Sequence, residues 1–158
     1  MEGTSVSELL DGTWFAADMP DATRARLGEL ATVVDIPQGA IVVQEGLPCR
    51  AMGIVVDGRI ALRLGLPGGE VRTILTVDPG DVFGWSAVLP PAIATSTGIA
   101  IVPSRAILID GEQLRTAMSV DCELAAAIFH RLLVSVSRRL TATRVQLLDL
   151  YRVGPEPW

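Results

Sequence analysis

The stretch Gly80-Asp81-Val82-Phe83-Gly84-Trp85-Ser86-Ala87-Val88-Leu89 decides how the chain is read. Two glycines bracket a short apolar pair, and a small, apolar run with one indole comes after them. The same punctuation recurs upstream at Gly39, Glu45-Gly46 and Asp57-Gly58, where each glycine closes or opens a brief run rich in Val and Ile. Runs of this length, broken at close spacing by Gly, Pro and Asp, are the pattern of an all-β roll or barrel. The spacing predicts strands over residues 32–36, 40–44, 51–56, 59–64, 71–77, 99–102 and 105–109. Pro37-Gln38-Gly39 sets a tight corner, Asp57-Gly58 reads as a two-residue hairpin, and Pro67-Gly68-Gly69 as a looser hairpin tip. Arg59, Ala61 and Arg63 alternate with Ile60, Leu62 and Leu64, which predicts one wet face and one core face. Ile54-Val55-Val56 is apolar without alternation, as expected of a strand covered on both sides.

On either side of this region the period changes. Residues 1–17 show no clear period and read as a tethered lead-in, with Trp14 and Phe15 packing on the rest of the domain. Asp18-Met19-Pro20-Asp21 opens a short helix to about Ala31, with acidic residues at the positive end of the helix dipole. Asp110 and Gln113 have the spacing of a capping box and start a helix to about Met118. A further start at residues 119–123 leads into a run free of Gly and Pro that reaches Arg152. At 1.5 Å per residue that helix is on the order of 45 Å long, more than the roll's own core requires. Leu124, Ile128 and Leu132 make a stripe suited to packing on the roll. Phe129, Leu133, Val136, Leu140, Thr143, Leu147 and Leu150 recur at alternating spacings of four and three, the a/d seam of a coiled coil held for about three heptads. Two packings are open for that seam, against a second copy of the chain or folded back on the roll. Thr143 in its middle weakens a dimer while helping to fix its register. The chain therefore reads as one domain over 1–152 and a tail over 153–158, in which Gly154, Pro155 and Pro157 stop any helix. Trp158 is either a free end or a plug docking on the partner.

With 158 residues, 49% of them hydrophobic and 20% charged, the chain fits a single hydrophobic core. No apolar run approaches the ~20 residues that span a bilayer, so no membrane partner is expected. The segment from Met1 to Glu8 is acidic and lacks the basic and apolar regions of a secretory signal, which leads to a cytoplasmic location. Cys49 and Cys122 are isolated, fit a reducing compartment, and read as two buried or half-buried thiols. The net charge is -5 and every basic residue is Arg, a balance that argues against general nucleic-acid binding. His130 is the only histidine and lies on the long helix, so neither a His-rich metal site nor a Ser-His-Asp or Cys-His set can be assembled. No nucleotide loop of Walker or Rossmann type occurs. No catalytic residue, metal or cofactor is expected.

The glycine pattern and the Phe83-Gly84 motif resemble the cyclic-nucleotide-binding domain superfamily of catabolite activators, fumarate-nitrate regulators and kinase regulatory subunits, over roughly residues 18 to 152. The resemblance implies a β-roll with flanking helices, a phosphate cradled by backbone amides after Phe-Gly, and a long helix that forms the dimer interface. It also implies two ligand side chains that this chain lacks. Trp85 stands where the family has the Glu that holds the ribose 2′-hydroxyl, and no basic residue lies between Arg72 and Arg105 to supply the Arg that pairs with the phosphate. Two lost hydrogen bonds to charged groups cost about 3–6 kcal/mol, or roughly two to four orders of magnitude in affinity. The candidate pocket residues are Phe83, Gly84, Trp85, Ser86, Ala87, Thr95, Ser96 and Thr97. Trp85 has two readings: a core aromatic filling the ligand's place, or a platform on which another flat ligand stacks, bonded by the hydroxyls of Ser86, Thr95, Ser96 and Thr97. Pro90-Pro91 stiffens the loop that carries the Arg in the family, which suits a closed site. Heme sensing, a property of some relatives, lacks a pair of ligands here.

Catabolite activators continue past the long helix into a helix-turn-helix, which has no counterpart in this sequence, so DNA binding is not expected. The expectation is a mainly β chain with flanking helices, a jelly-roll-like β-roll plus a long C-terminal dimerisation helix. Its function reads as non-enzymatic: a degenerate cyclic-nucleotide-binding-like module, regulatory or scaffolding, acting as a homodimer and through a protein partner. The alternatives are a small-molecule sensor, for a cyclic nucleotide or another ligand, with altered pocket contacts, and the effector domain of a truncated transcription regulator.

Overall fold

Two four-stranded antiparallel sheets, in the orders β1-β8-β3-β6 and β2-β7-β4-β5, face each other, and four helices cover the outer side of the first. The computed structural model describes residues 5–152; the expectations for Gly154, Pro155, Pro157 and Trp158 lie outside them. In chain order the elements are α1 (Val6–Asp11), α2 (Asp21–Glu29), β1 (Ala31–Ile36), β2 (Ile41–Val43), β3 (Ala51–Asp57), β4 (Ile60–Gly65), β5 (Val71–Val77) and β6 (Val82–Phe83). After a single-turn 3-10 helix, Trp85–Val88, come β7 (Thr97–Ala100), β8 (Ser104–Asp110), α3 (Gly111–Val120) and α4 (Cys122–Arg152). The chain is thus mainly β with flanking helices, a β-roll followed by a long C-terminal helix.

Strand β3 is the element on which both cores rest. Successive side chains of a strand point to opposite faces, and here Ile54 enters the cluster shared with the helices while its neighbour Val55 enters the cluster between the sheets. Both are fully buried, which is why the run carries no polar alternation. Pro37-Gln38-Gly39 is a corner that moves the chain from the first sheet to the second, and Pro67-Gly68-Gly69 closes the β4–β5 hairpin.

Several expectations need correction. Asp57-Gly58 is no hairpin, because β3 and β4 lie in different sheets; the turn crosses between them, held by the Gly58 N–H donating to the Asp57 carboxylate at 2.9 Å. Ala61, assigned to a wet face, is 2% exposed, since its small methyl is shaded by Thr76 and Ile99 directly opposite on the two flanking strands. The lead-in contains α1, too short to show a period but started by a capping box: the Glu8 N–H donates to the Ser5 hydroxyl and the Ser5 N–H to the Glu8 carboxylate. Pro20 is the N-cap of α2, so that helix begins three residues later than Asp18 and ends before β1 takes up Ala31. Cys122 is exposed; only Cys49 is buried.

Helix α4 starts where Asp121 caps it, its carboxylate accepting from the Leu124 N–H at 3.0 Å. Leu124, Ile128 and Leu132 are buried in the core shared by the first sheet, α2 and α3. Three such side chains contribute at most about 4–9 kcal/mol, enough to seat the first half of the helix. From Leu140 onward every described residue is exposed, so the last twelve or so residues project about 18 Å beyond the roll.

Candidate functional site

Backbone constraints explain the sequence of the Gly80–Leu89 stretch. The Phe83 ring lies over Gly53, where a Cβ would come within 2.0 Å of the ring's Cζ, and the side chain is 1% exposed in the core between the sheets. Phe83 is therefore a core residue rather than a pocket wall. Gly84 turns the chain at φ 67, and a Cβ there would come within 2.5 Å of the Ala51 carbonyl oxygen, so both dihedral and space demand glycine. The chain then enters the 3-10 helix, whose Ala87 carbonyl accepts from the Arg115 guanidinium of α3.

The space beneath this turn is small. It is about 20 Å³, lined by Gly84, Trp85, Ser86, Thr95 and Ser96 of the expected set and by Val43, Cys49, Leu62, Ala94 and Arg139. Ala87 and Thr97 do not line it: Ala87 is buried against Gly111, and the Thr97 hydroxyl accepts from the Glu45 N–H at 3.0 Å. Trp85 is half-buried at the cavity edge and leans on the helix-side core. The loop beyond is laced to the roll, with the Cys49 N–H donating to Ala92, the Ala94 N–H to Leu47 and the Gly46 N–H to Ala94. The Cys49 thiol sits 3.4 Å from the Gly84 carbonyl oxygen, and burial pushes its pKa up despite hydrogen bonds to backbone.

Arg139 is the residue that strand-by-strand reading missed. It comes from the middle of α4, its side chain is 13% exposed, and its guanidinium donates to the Val82 carbonyl and lies 3.5 Å from the Asp81 carboxylate. The same Asp81 oxygen accepts from the Ser135 hydroxyl at 2.9 Å and the Val82 N–H at 2.8 Å. Burial pulls the Arg139 pKa below its ordinary value while Asp81 pulls it back up, and its Nε is buried with no hydrogen-bond partner. One sign of this placement is legible in the sequence: residues 128, 132, 135 and 139 continue the roll-facing stripe at spacings of four, three and four. Beside this contact, Trp14 is stacked by Arg138 at 4.1 Å and Arg131 at 5.4 Å, and Arg131 pairs with Asp18 at 2.9 Å.

The seam on the other side of α4 is uncovered by the roll. Phe129, Leu133, Leu140, Leu147 and Leu150 are 46–73% exposed, Val136 slightly less, and the Thr143 hydroxyl bonds back to the Arg139 carbonyl. Among the described residues no helix is long and apolar enough to cross a membrane, and no group of three or more His, Cys, Asp or Glu could hold a metal.

Residues 33–121 match the family described as "Cyclic nucleotide-binding domain". The chain is 30% identical over 131 residues to a "CRP-like cAMP-activated global transcriptional regulator" of Mycobacterium tuberculosis, a match covering 83% of this chain and 56% of that protein. The chain thus spans just over half the length of that curated relative. Among solved structures it is similar to a putative cyclic nucleotide-binding protein from Geobacter metallireducens, with TM-score 0.75 at 23% identity, covering 85% of this chain and 97% of that one. A cyclic nucleotide-binding domain from Methylobacillus flagellatus superposes with TM-score 0.78 at 16% identity, covering 97% and 85% respectively. At these identities the two structures support the fold.

Proposed function

This chain belongs to the cyclic nucleotide-binding domain family, and on that premise we propose that it is a non-enzymatic regulatory module whose nucleotide site is closed and which acts as a homodimer through α4. The observation that carries the reading is the cavity of about 20 Å³ beneath Gly84–Ser86. That is room for about one water, whereas ligand pockets generally measure about 300–1,000 Å³. The side chains around it point the same way, with the Trp85 indole at its edge and the one guanidinium that lines it, Arg139, engaged with Asp81 and Val82. The exposed a/d seam supports dimerisation, since a row of large apolar side chains at heptad spacing is what a second helix covers.

Calorimetry and thermal melting with cyclic AMP and cyclic GMP test the closed site. Neither nucleotide at about 100 μM should bind or raise Tm, because stabilisation grows with ligand concentration over Kd. Saturable binding of either one by the unmodified chain would refute the reading, since it would require the cavity to open and Arg139 to give way.

A further inference from the structure

We propose that the Arg139 guanidinium is a built-in occupant of the closed site, tethered to the dimer helix, and that its removal leaves a binding site for small alkylguanidinium ions between Asp81 and the Val82 carbonyl. This rests on the reading of the cassette as a site that takes no nucleotide.

Arg139 is the last residue of α4 that the roll covers, for Leu140 and everything described beyond it are exposed. A hydrophobic side chain would end such a stripe without a desolvation cost; a guanidinium is costly there unless its surroundings are built for it. They are. The Asp81 carboxylate is held in place by the Ser135 hydroxyl and the Val82 N–H, so it meets the guanidinium as a fixed anion, and the Val82 carbonyl accepts the same Nη2. Both acceptors belong to the Gly80–Leu89 stretch, 54 to 58 residues away in sequence from the α4 groups that reach them. The contact is therefore the link between the ligand cassette and the helix that carries the seam. The chain thus supplies from α4 the one guanidinium that lines the cavity beneath the cassette. The Trp14 stack with Arg138 and Arg131, and the Arg131–Asp18 pair, tie the same stretch of α4 down independently, so the fold survives loss of the single guanidinium.

The test is chemical rescue in the Arg139→Ala chain. Native-state amide hydrogen exchange is followed over residues 81–88 and 132–142, with methylguanidinium or methylammonium added at equal millimolar concentration. The variant should exchange about tenfold faster in both segments and unchanged in β4 and β5. Methylguanidinium should restore protection saturably, methylammonium should not, and the additional change Asp81→Asn should abolish the rescue. Unchanged exchange in Arg139→Ala, or equal rescue by both cations, would overturn the proposal. Should Arg139→Ala not fold, Arg139→Met keeps the aliphatic packing, and exchange as slow as in wild type would overturn it equally. Nucleotide calorimetry on the unmodified chain is a separate readout: silence there with failed rescue refutes the tethered occupant alone, whereas nucleotide binding refutes the closed site.

Discussion

Replacing Leu140 and Leu147 by Glu tests whether α4 pairs with a second copy of itself. Each leucine is 50% exposed on the isolated chain. Fully burying a leucine is worth about 1.5–3 kcal/mol, so covering the exposed half contributes about 1 kcal/mol per side chain. A two-fold dimer counts each position twice, which makes about 2 kcal/mol per layer and about 4 kcal/mol for both. The two layers are seven residues and ~10 Å apart on the helix, far enough to add. The double variant should therefore raise the dimer Kd about 1,000-fold, with further loss from carboxylates facing each other in the seam. Sedimentation equilibrium reads the Kd, and the roll should still unfold cooperatively, because neither leucine belongs to its buried core. Leu132→Glu is the matched control: that side chain is 6% exposed in the core shared with α2, so a charge there should unfold the domain instead of splitting a dimer. A wild-type chain that is monomeric at tens of micromolar, or a double variant with the same Kd, would refute the reasoning.

The two thiols should differ in reactivity. Cys122 is exposed at the start of α4 while Cys49 is buried with its pKa raised by burial, so Ellman's reagent should titrate one thiol quickly in the native state and both in denaturant; two fast thiols would contradict the packing around Gly84. The cross-strand pair Asp35–Arg105 should make stability depend on acid. The hydrogen bond from Arg105, opposed by desolvation and helped by its charge, holds the Asp35 carboxyl below its ordinary value of 3.8. A depressed carboxylate pKa contributes stability that is fully present above 3.8 and lost as pH falls through the lower folded value. Between neutral pH and about pH 3, wild-type Tm should thus fall slightly more than that of Asp35→Asn, by a small margin because the pair is exposed; parallel curves would sink the assignment.

What the chain order conceals is which elements meet. The strands were legible because each is a short apolar run closed by a residue with a defined backbone preference, and β5 is found over the predicted residues 71–77. The start of α3 was legible because Asp110 and Gln113 cap it locally, with the Gln113 N–H donating to the Asp110 carboxylate at 2.9 Å. Strands of two residues, such as β6, and helices of six, such as α1, are too short for any period to emerge. Asp57-Gly58 shows a subtler limit: the dipeptide specifies a turn, while tertiary packing decides whether the strands it joins pair with each other or, as here, with β8 and β6 on one side and β5 and β7 on the other. The site obeys the same division. Gly84 and the small residues after it are dictated by their own backbone, so the cassette could be found by inspection. Its cation could not be found within the cassette, because Arg139 arrives on a helix whose docking is set by Leu124, Ile128 and Leu132. The spacing that seats those three in the helix-side core carries Arg139 to Asp81 as well, so the guanidinium beside the cassette is a consequence of how α4 is packed. The acceptors that Asp81 and Val82 offer in the cassette and the guanidinium that α4 places beside them are then one structural fact seen from two elements.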